Sequence, residues 1–125
     1  MSITLEGVVI TGLGEGAFFL SIDHYKNEIN KVLGFIPYPG TLNIKTQHFN
    51  KEALKNKKRI EGFEQNGRKF SGVSLAKATI LNTEGALIFP DISKQQENII
   101  EFIAPMNMRK ECGFKDYDTL TVSIE

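Results

Sequence analysis

Apolar and polar residues alternate from the start of the chain. Ile3, Leu5, Gly7 and Val9 fall on one side of the segment Ile3–Ile10, the period-two pattern of a half-buried strand. Glycines end it, in Gly12-Leu13-Gly14-Glu15-Gly16. Beyond them Ile22, Tyr25, Ile29, Val32 and Leu33 recur at three-to-four spacing, which predicts an amphipathic helix capped by Ser21 and stopped by Gly34. Pro37, Pro39 and Gly40 break the chain before a short strand at Thr41–Lys45. Residues 46–59 are polar and Lys-rich, with room for a short helix around Lys51–Leu54.

Asn66-Gly67 is a two-residue hairpin signal between Ile60–Gln65 and the extended run Arg68–Leu81. A second turn is expected at Asn82–Gly85, then a strand Ala86–Phe89 ended by Pro90. After a polar loop at Asp91–Glu97, Ile99–Ala104 reads as a buried strand and Asn107–Cys112 as a helical turn ended by Gly113. In the last strand, Thr119–Ile124, Leu120, Val122 and Ile124 share a face. About seven short strands joined by turns, against one full helix, favour a mainly β chain closed into a small barrel over a parallel sheet.

Composition narrows the function classes. The 125 residues make a single domain, 1–125, with one core; they are 41% hydrophobic and 24% charged, and 15 Lys+Arg balance 15 Asp+Glu. That balance argues against a disordered tail and against binding nucleic acid by counterion release. No apolar run reaches the length of a membrane span and no signal peptide opens the chain, so no membrane partner and a cytoplasmic location are expected. The single Cys112 has no second Cys for a disulfide or a thiolate metal site.

Four features are candidates for chemistry. Gly12-Leu13-Gly14-Glu15-Gly16-Ala17 fits the spacing G-x-G-x-x-[GA]. A dinucleotide site would need a helix opening there inside a βαβ unit, and Phe18-Phe19-Leu20 is expected to intervene before the Ser21 cap. A phosphate-cradling nest or a plain flexible turn remain. In Thr41-Leu42-Asn43-Ile44 the strand period sets the Thr41 hydroxyl and the Asn43 amide on one face. Two such oxygen donors suit Mg²⁺, and the plainer alternative is an ordinary polar outer face. Glu101 is the one charge in Ile99–Ile103, so it is either paired or ligand-bound, or else solvated on an edge strand. His24, His48 and the basic run Lys55–Arg59 read as solvated surface.

Several motifs in one order carry a resemblance. Gly12–Gly16 with Phe19-Leu20-Ser21, then Leu33-Gly34-Phe35, Pro37-Tyr38, Gly40-Thr41-Leu42-Asn43, Gly85-Ala86, Pro90, Ile99-Ile100-Glu101 and Ala104-Pro105-Met106 are similar to the archaeal CTP-dependent riboflavin kinases. The resemblance runs nearly end to end and is weakest between residues 46 and 81. It implies a six-stranded cradle-loop (RIFT-type) β-barrel with one amphipathic helix and a short helical turn. The implied reaction moves the γ-phosphoryl of CTP to the 5′-hydroxyl of riboflavin, giving FMN and CDP.

By matching positions, Gly12, Leu13, Gly14, Glu15, Gly16 and Ala17 would hold the nucleotide phosphates, and Met106, Asn107, Met108 and Arg109 would line the cytidine pocket. Thr41 and Asn43 would ligate one Mg²⁺ ion, and Ser93 and Glu101 would contact the flavin, with Glu101 the candidate base. Ser93 stands where the family's pattern has Thr, and Asn107 where it has Lys. The tail Cys112–Val122 also resembles the closing segment of swapped-hairpin-barrel DNA-binding regulators, which makes a transcription factor one alternative. A non-catalytic flavin- or nucleotide-binding module is another.

Overall fold

A computed structural model of the chain describes residues 3–12, 14–47, 49–92 and 98–125. Among the described residues the strands are β1 (Ile3–Ile10), β2 (Leu42–Thr46), β3 (Lys58–Ile60), β4 (Phe63–Gln65), β5 (Arg68–Phe70), β6 (Val73–Ile80), β7 (Thr83–Pro90), β8 (Ile99–Ile103) and β9 (Thr119–Ile124). The helices are α1 (Glu15–Leu20), α2 (Asp23–Leu33) and α3 (Met108–Cys112), with one 3₁₀ turn at Lys51–Ala53.

Six strands close into an antiparallel barrel in the order β6-β7-β8-β2-β1-β9, sealed where β9 returns to β6 at Ala78↔Ile124 and Thr79↔Ser123. β3 adds to the free stretch of β6, and β4–β5 form a separate two-stranded hairpin. No helix is long and apolar enough to cross a membrane.

Along β7 and β8 the barrel wall is largely buried on both faces, which explains the near-continuous runs at Ala86–Phe89 and Ile99–Ala104. Leu42, Ile44, Ala76, Leu87, Ile100, Phe102, Val122 and Ile124 point inward and fill the interior. The alternate residues Leu75, Ala86, Ile88 and Ile103 point outward and pack with Leu20 of α1 and Tyr25 and Ile29 of α2. β7 and β8 thus obey the period of two while burying both sides, whereas β9 alternates buried and exposed residues.

The structure differs from the sequence reading at several boundaries. The segment after the first glycines is helical: α1 opens at Glu15 behind Gly14, and Ile22 rather than Ser21 caps α2, while Gly34 stops it in the left-handed conformation as expected (φ 83). Short and Gly-rich, α1 forms because Leu20 is fully buried and Phe19 stacks on Tyr25 with ring centroids 3.7 Å apart, a tertiary gain that overrides weak propensity. The run Arg68–Leu81 is broken at Ser71-Gly72 into β5 and β6. The second hairpin turn is Leu81-Asn82 (φ 47 and 66), not Asn82–Gly85, so Thr83–Gly85 already belong to β7, as does Pro90.

Candidate active site

The site begins on the outer face of β2 and β8. Leu42 and Ile44 face the barrel interior, so Thr41 and Asn43 face outward together, as the strand period predicts. Asn43 stands directly opposite Glu101 across the β2–β8 ladder. The Thr41 hydroxyl donates to Glu101 Oε1 at 3.1 Å, and the Asn43 amide reaches the Thr41 oxygen at 3.5 Å. Glu101 is 5% exposed and Asn43 9%. The edge-strand alternative for Glu101 fails, because β8 lies between β7 and β2.

The cover over these polar groups is the glycine segment and the start of α1. A Cβ added at Gly12 would run into the Asn43 amide, and one at Gly16 would stand 2.6 Å from Thr41 Oγ1 and 3.1 Å from Glu101 Oε1. Two of the glycines therefore let the backbone lie directly on the Thr41–Asn43–Glu101 cluster. Gly14 has open space around it and serves instead through its φ of 81. A helix does open here, contrary to expectation, but β1 and β2 are antiparallel, so there is no βαβ unit and the dinucleotide reading stays excluded.

The α1 cover is held from outside by the β4–β5 hairpin. Arg68 lies over the rings of Phe18 (5.6 Å) and Phe70 (4.9 Å), and Phe63 stacks on Phe70 and against His24. His24 is thus a half-buried packing residue rather than the solvated surface residue expected; its Nε2 lies 3.3 Å from the Glu61 carbonyl.

Beside the cluster a cavity of about 190 Å³ opens, lined by Tyr38, Gly40, Thr41, Leu42, Phe102, Ala104 and Met106–Arg109. Thr41 belongs to both places, lining the cavity and bonding Glu101. Tyr38 and Met106, 39% and 38% exposed, stand at the rim. Asn107 caps α3 by accepting from the Lys110 amide and also donates to the Tyr38 hydroxyl at 3.2 Å, so the position has a local structural task. From α3, Arg109 reaches back to the end of β1, where its Nη2 donates to the Ile10 carbonyl at 2.8 Å.

Thr41, Asn43 and Glu101 together present hydroxyl, amide and carboxylate oxygens, a hard donor set suited to Mg²⁺ completed by phosphate and water. No group of three or more His, Cys, Asp or Glu able to hold a metal occurs among the described residues.

Comparisons with known proteins place the chain in a family. The family model CTP-dep_RFKase, described as a domain of unknown function, DUF120, matches residues 9–124. The chain is similar to the riboflavin kinase of Pyrobaculum calidifontis, 38% identical over 98% of this chain and 60% of that protein. It is also similar to those of Methanocella arvoryzae (39% over 97% of this chain and 56% of that protein) and Thermofilum pendens (41%, 98% and 59%). The chain belongs to the riboflavin kinase family. It spans 56–60% of the length of these relatives.

Of the positions that the family resemblance marks, the structure brings Gly12, Gly16, Thr41, Asn43 and Glu101 into one cluster and sets Met106, Asn107, Met108 and Arg109 on the adjoining cavity. Ala17 is exposed on α1. Leu13, Ser93 and the Glu15 side chain lie outside the described residues, as does His48. Sequence reasoning missed Tyr38 and Asp116. Tyr38 stood in a matched motif beside two prolines with no polar periodicity to single it out. Asp116 binds Arg109 and Thr11, and nothing in local sequence announces contacts from so far along the chain.

Proposed function

We propose that this chain is a CTP-dependent riboflavin kinase: it transfers the γ-phosphoryl group of CTP to the 5′-hydroxyl of riboflavin, releasing FMN and CDP. The observation that carries the reading is the double placement of Thr41, which lines the Tyr38–Arg109 cavity and whose hydroxyl bonds the buried Glu101. A base seated in the cavity would send its phosphates past Thr41 toward the glycine segment. The nucleotide and the acceptor hydroxyl then meet at Glu101. The cavity is smaller than the ~300–1,000 Å³ usual for a whole ligand, which suits it to the base alone.

In the reaction the riboflavin 5′-oxygen forms a bond to the γ-phosphorus as the bond from that phosphorus to the β–γ bridging oxygen breaks. Glu101 accepts the hydroxyl proton, and CDP leaves with the bridging oxygen. Phosphoryl transfer asks a protein chiefly for alignment and charge neutralisation. Here alignment comes from rigid strand ends and a backbone that sits directly on them. Thr41 and Asn43 would hold Mg²⁺, which when bound neutralises charge on the phosphates.

The test is direct. Purified protein with riboflavin, MgCl₂ and either CTP or ATP is scored for FMN by chromatography. FMN from CTP, with much less from ATP, is expected, since a pocket fitted to the cytosine edge leaves a purine's polar groups unpaired. No FMN from either nucleotide overturns the kinase reading, and equal yields overturn the CTP preference.

A further inference from the structure

The two ends of the nucleotide site are carried by different parts of the chain, and a single carboxylate ties them together. Arg109, on the cavity wall, donates from Nη2 to Asp116 Oδ1 at 2.6 Å. Thr11, which leads into the glycine segment, donates from its hydroxyl to Asp116 Oδ2 at 2.9 Å and Oδ1 at 3.2 Å. With the Arg109 bond to the Ile10 carbonyl, the strand end, the helix and the carboxylate form a closed ring of contacts.

Asp116 is itself firmly based. The Tyr117 amide donates to the Val9 carbonyl at 2.7 Å, and the Val9 amide donates to the Asp118 carbonyl at 2.9 Å. The Lys115 amide donates to the Asp118 carboxylate at 2.8 Å and the Asp118 amide to the Lys115 carbonyl at 3.1 Å, closing the turn. Tyr117 adopts the left-handed conformation (φ 72) within it. The Arg109 guanidinium and the Thr11 hydroxyl hold the Asp116 carboxyl below the usual carboxylate range, so it carries its charge throughout the neutral range.

We propose that Asp116 is a positioning residue for the nucleotide: by holding Arg109 and Thr11 at once, it fixes the separation between the base pocket and the glycine segment. The proposal rests on the nucleotide reading given above. A nucleoside triphosphate spans both ends, so its affinity depends on their being set at the right distance before it arrives. Preorganisation of that kind acts on binding, and riboflavin, which does not bridge the two ends, is indifferent to it.

Asp116→Asn keeps the shape and removes the charge; Thr11→Val cuts only the arm to the glycine segment. Binding of CDP with MgCl₂ is followed by calorimetry, riboflavin binding by quenching of flavin fluorescence, and KM and kcat in the FMN assay. For Asp116→Asn, CDP affinity should fall about tenfold and KM for CTP rise in step. Saturated kcat, riboflavin affinity and melting temperature should stay close to wild type, as expected for an exposed ion pair. Thr11→Val should lose part of the same affinity, and the double variant should be no worse than Asp116→Asn. Wild-type protein that takes up no CDP overturns the nucleotide reading and this proposal with it. Wild-type uptake with an unchanged Asp116→Asn overturns the proposal alone, as does an equal loss of CDP and riboflavin affinity.

Discussion

Glu101 illustrates how much one side chain's surroundings decide. A carboxylate on a strand of Ile and Phe is costly to bury unless hydrogen bonds meet it, and the Thr41 hydroxyl at 3.1 Å is one of those bonds. Glu101→Gln keeps shape and hydrogen bonding and should lower kcat modestly, because a base has limited work in a loose transition state. Replacing Thr41 by Val together with Asn43 by Leu should cost on the order of a hundredfold or more in kcat and abolish Mg²⁺ uptake, with calorimetry as the check; a folded double variant that keeps both would reverse the ranking. Gly16→Ala tests the cover: the added methyl has nowhere to go beside Thr41 and Glu101, so activity should collapse while circular dichroism still reports a barrel. The shared face of Thr41 and Asn43 could be read in the sequence, since it needs only the period of two. The burial of Glu101 could not, since the cover over it comes from a helix remote in sequence.

Elements follow the same division. Strands whose period matched their burial were legible, as was the Asn66-Gly67 hairpin, whose two residues adopt φ 53 and 78. The helix α1 was not, because its reason for existing is the pocket into which Leu20 and Phe19 fit. The turn Leu81-Asn82 was placed too late in the chain because Leu is a poor occupant of the left-handed region. Leu81→Asn should therefore relieve about 1 kcal/mol of backbone strain and raise the melting temperature by roughly 4 °C. A drop would show that the exposed Leu81 side chain stabilises the turn. On α2, the Tyr25 hydroxyl donates to the Ser71 carbonyl at 2.6 Å, anchoring the helix where β6 begins. Tyr25→Phe should cost about 1 kcal/mol in denaturant unfolding, with the aromatic stack on Phe19 intact.

Across the whole molecule, two clamps join distant parts of the surface: Arg59 grips Asp91 through two hydrogen bonds, at 2.6 and 2.8 Å, and Arg109 grips Asp116. Both carboxyls are held below their ordinary value of 3.8, in each case first by the hydrogen bond from the arginine. A carboxyl depressed in the folded state adds stability that is complete above its unfolded value and is lost as pH falls through the lower folded one. Because both pairs are solvent-exposed, the melting temperature should be level near neutrality and dip only slightly on their account below about pH 4, and Asp91→Asn should flatten part of that dip; an unchanged acid limb would show that other carboxylates control it. The barrel itself has a temporal consequence. Its first strand is flanked by its last, with Ile3 opposite Ile124, and the seam to β6 rests on two residue pairs. A growing polypeptide can form the β6–β7–β8 meander as it emerges, but it cannot close the wall until β9 has left the ribosome. Contacts so far apart in sequence make refolding slow, on the scale of milliseconds to seconds, and until closure β1 and β6 each present an open edge on which a neighbouring nascent chain can pair.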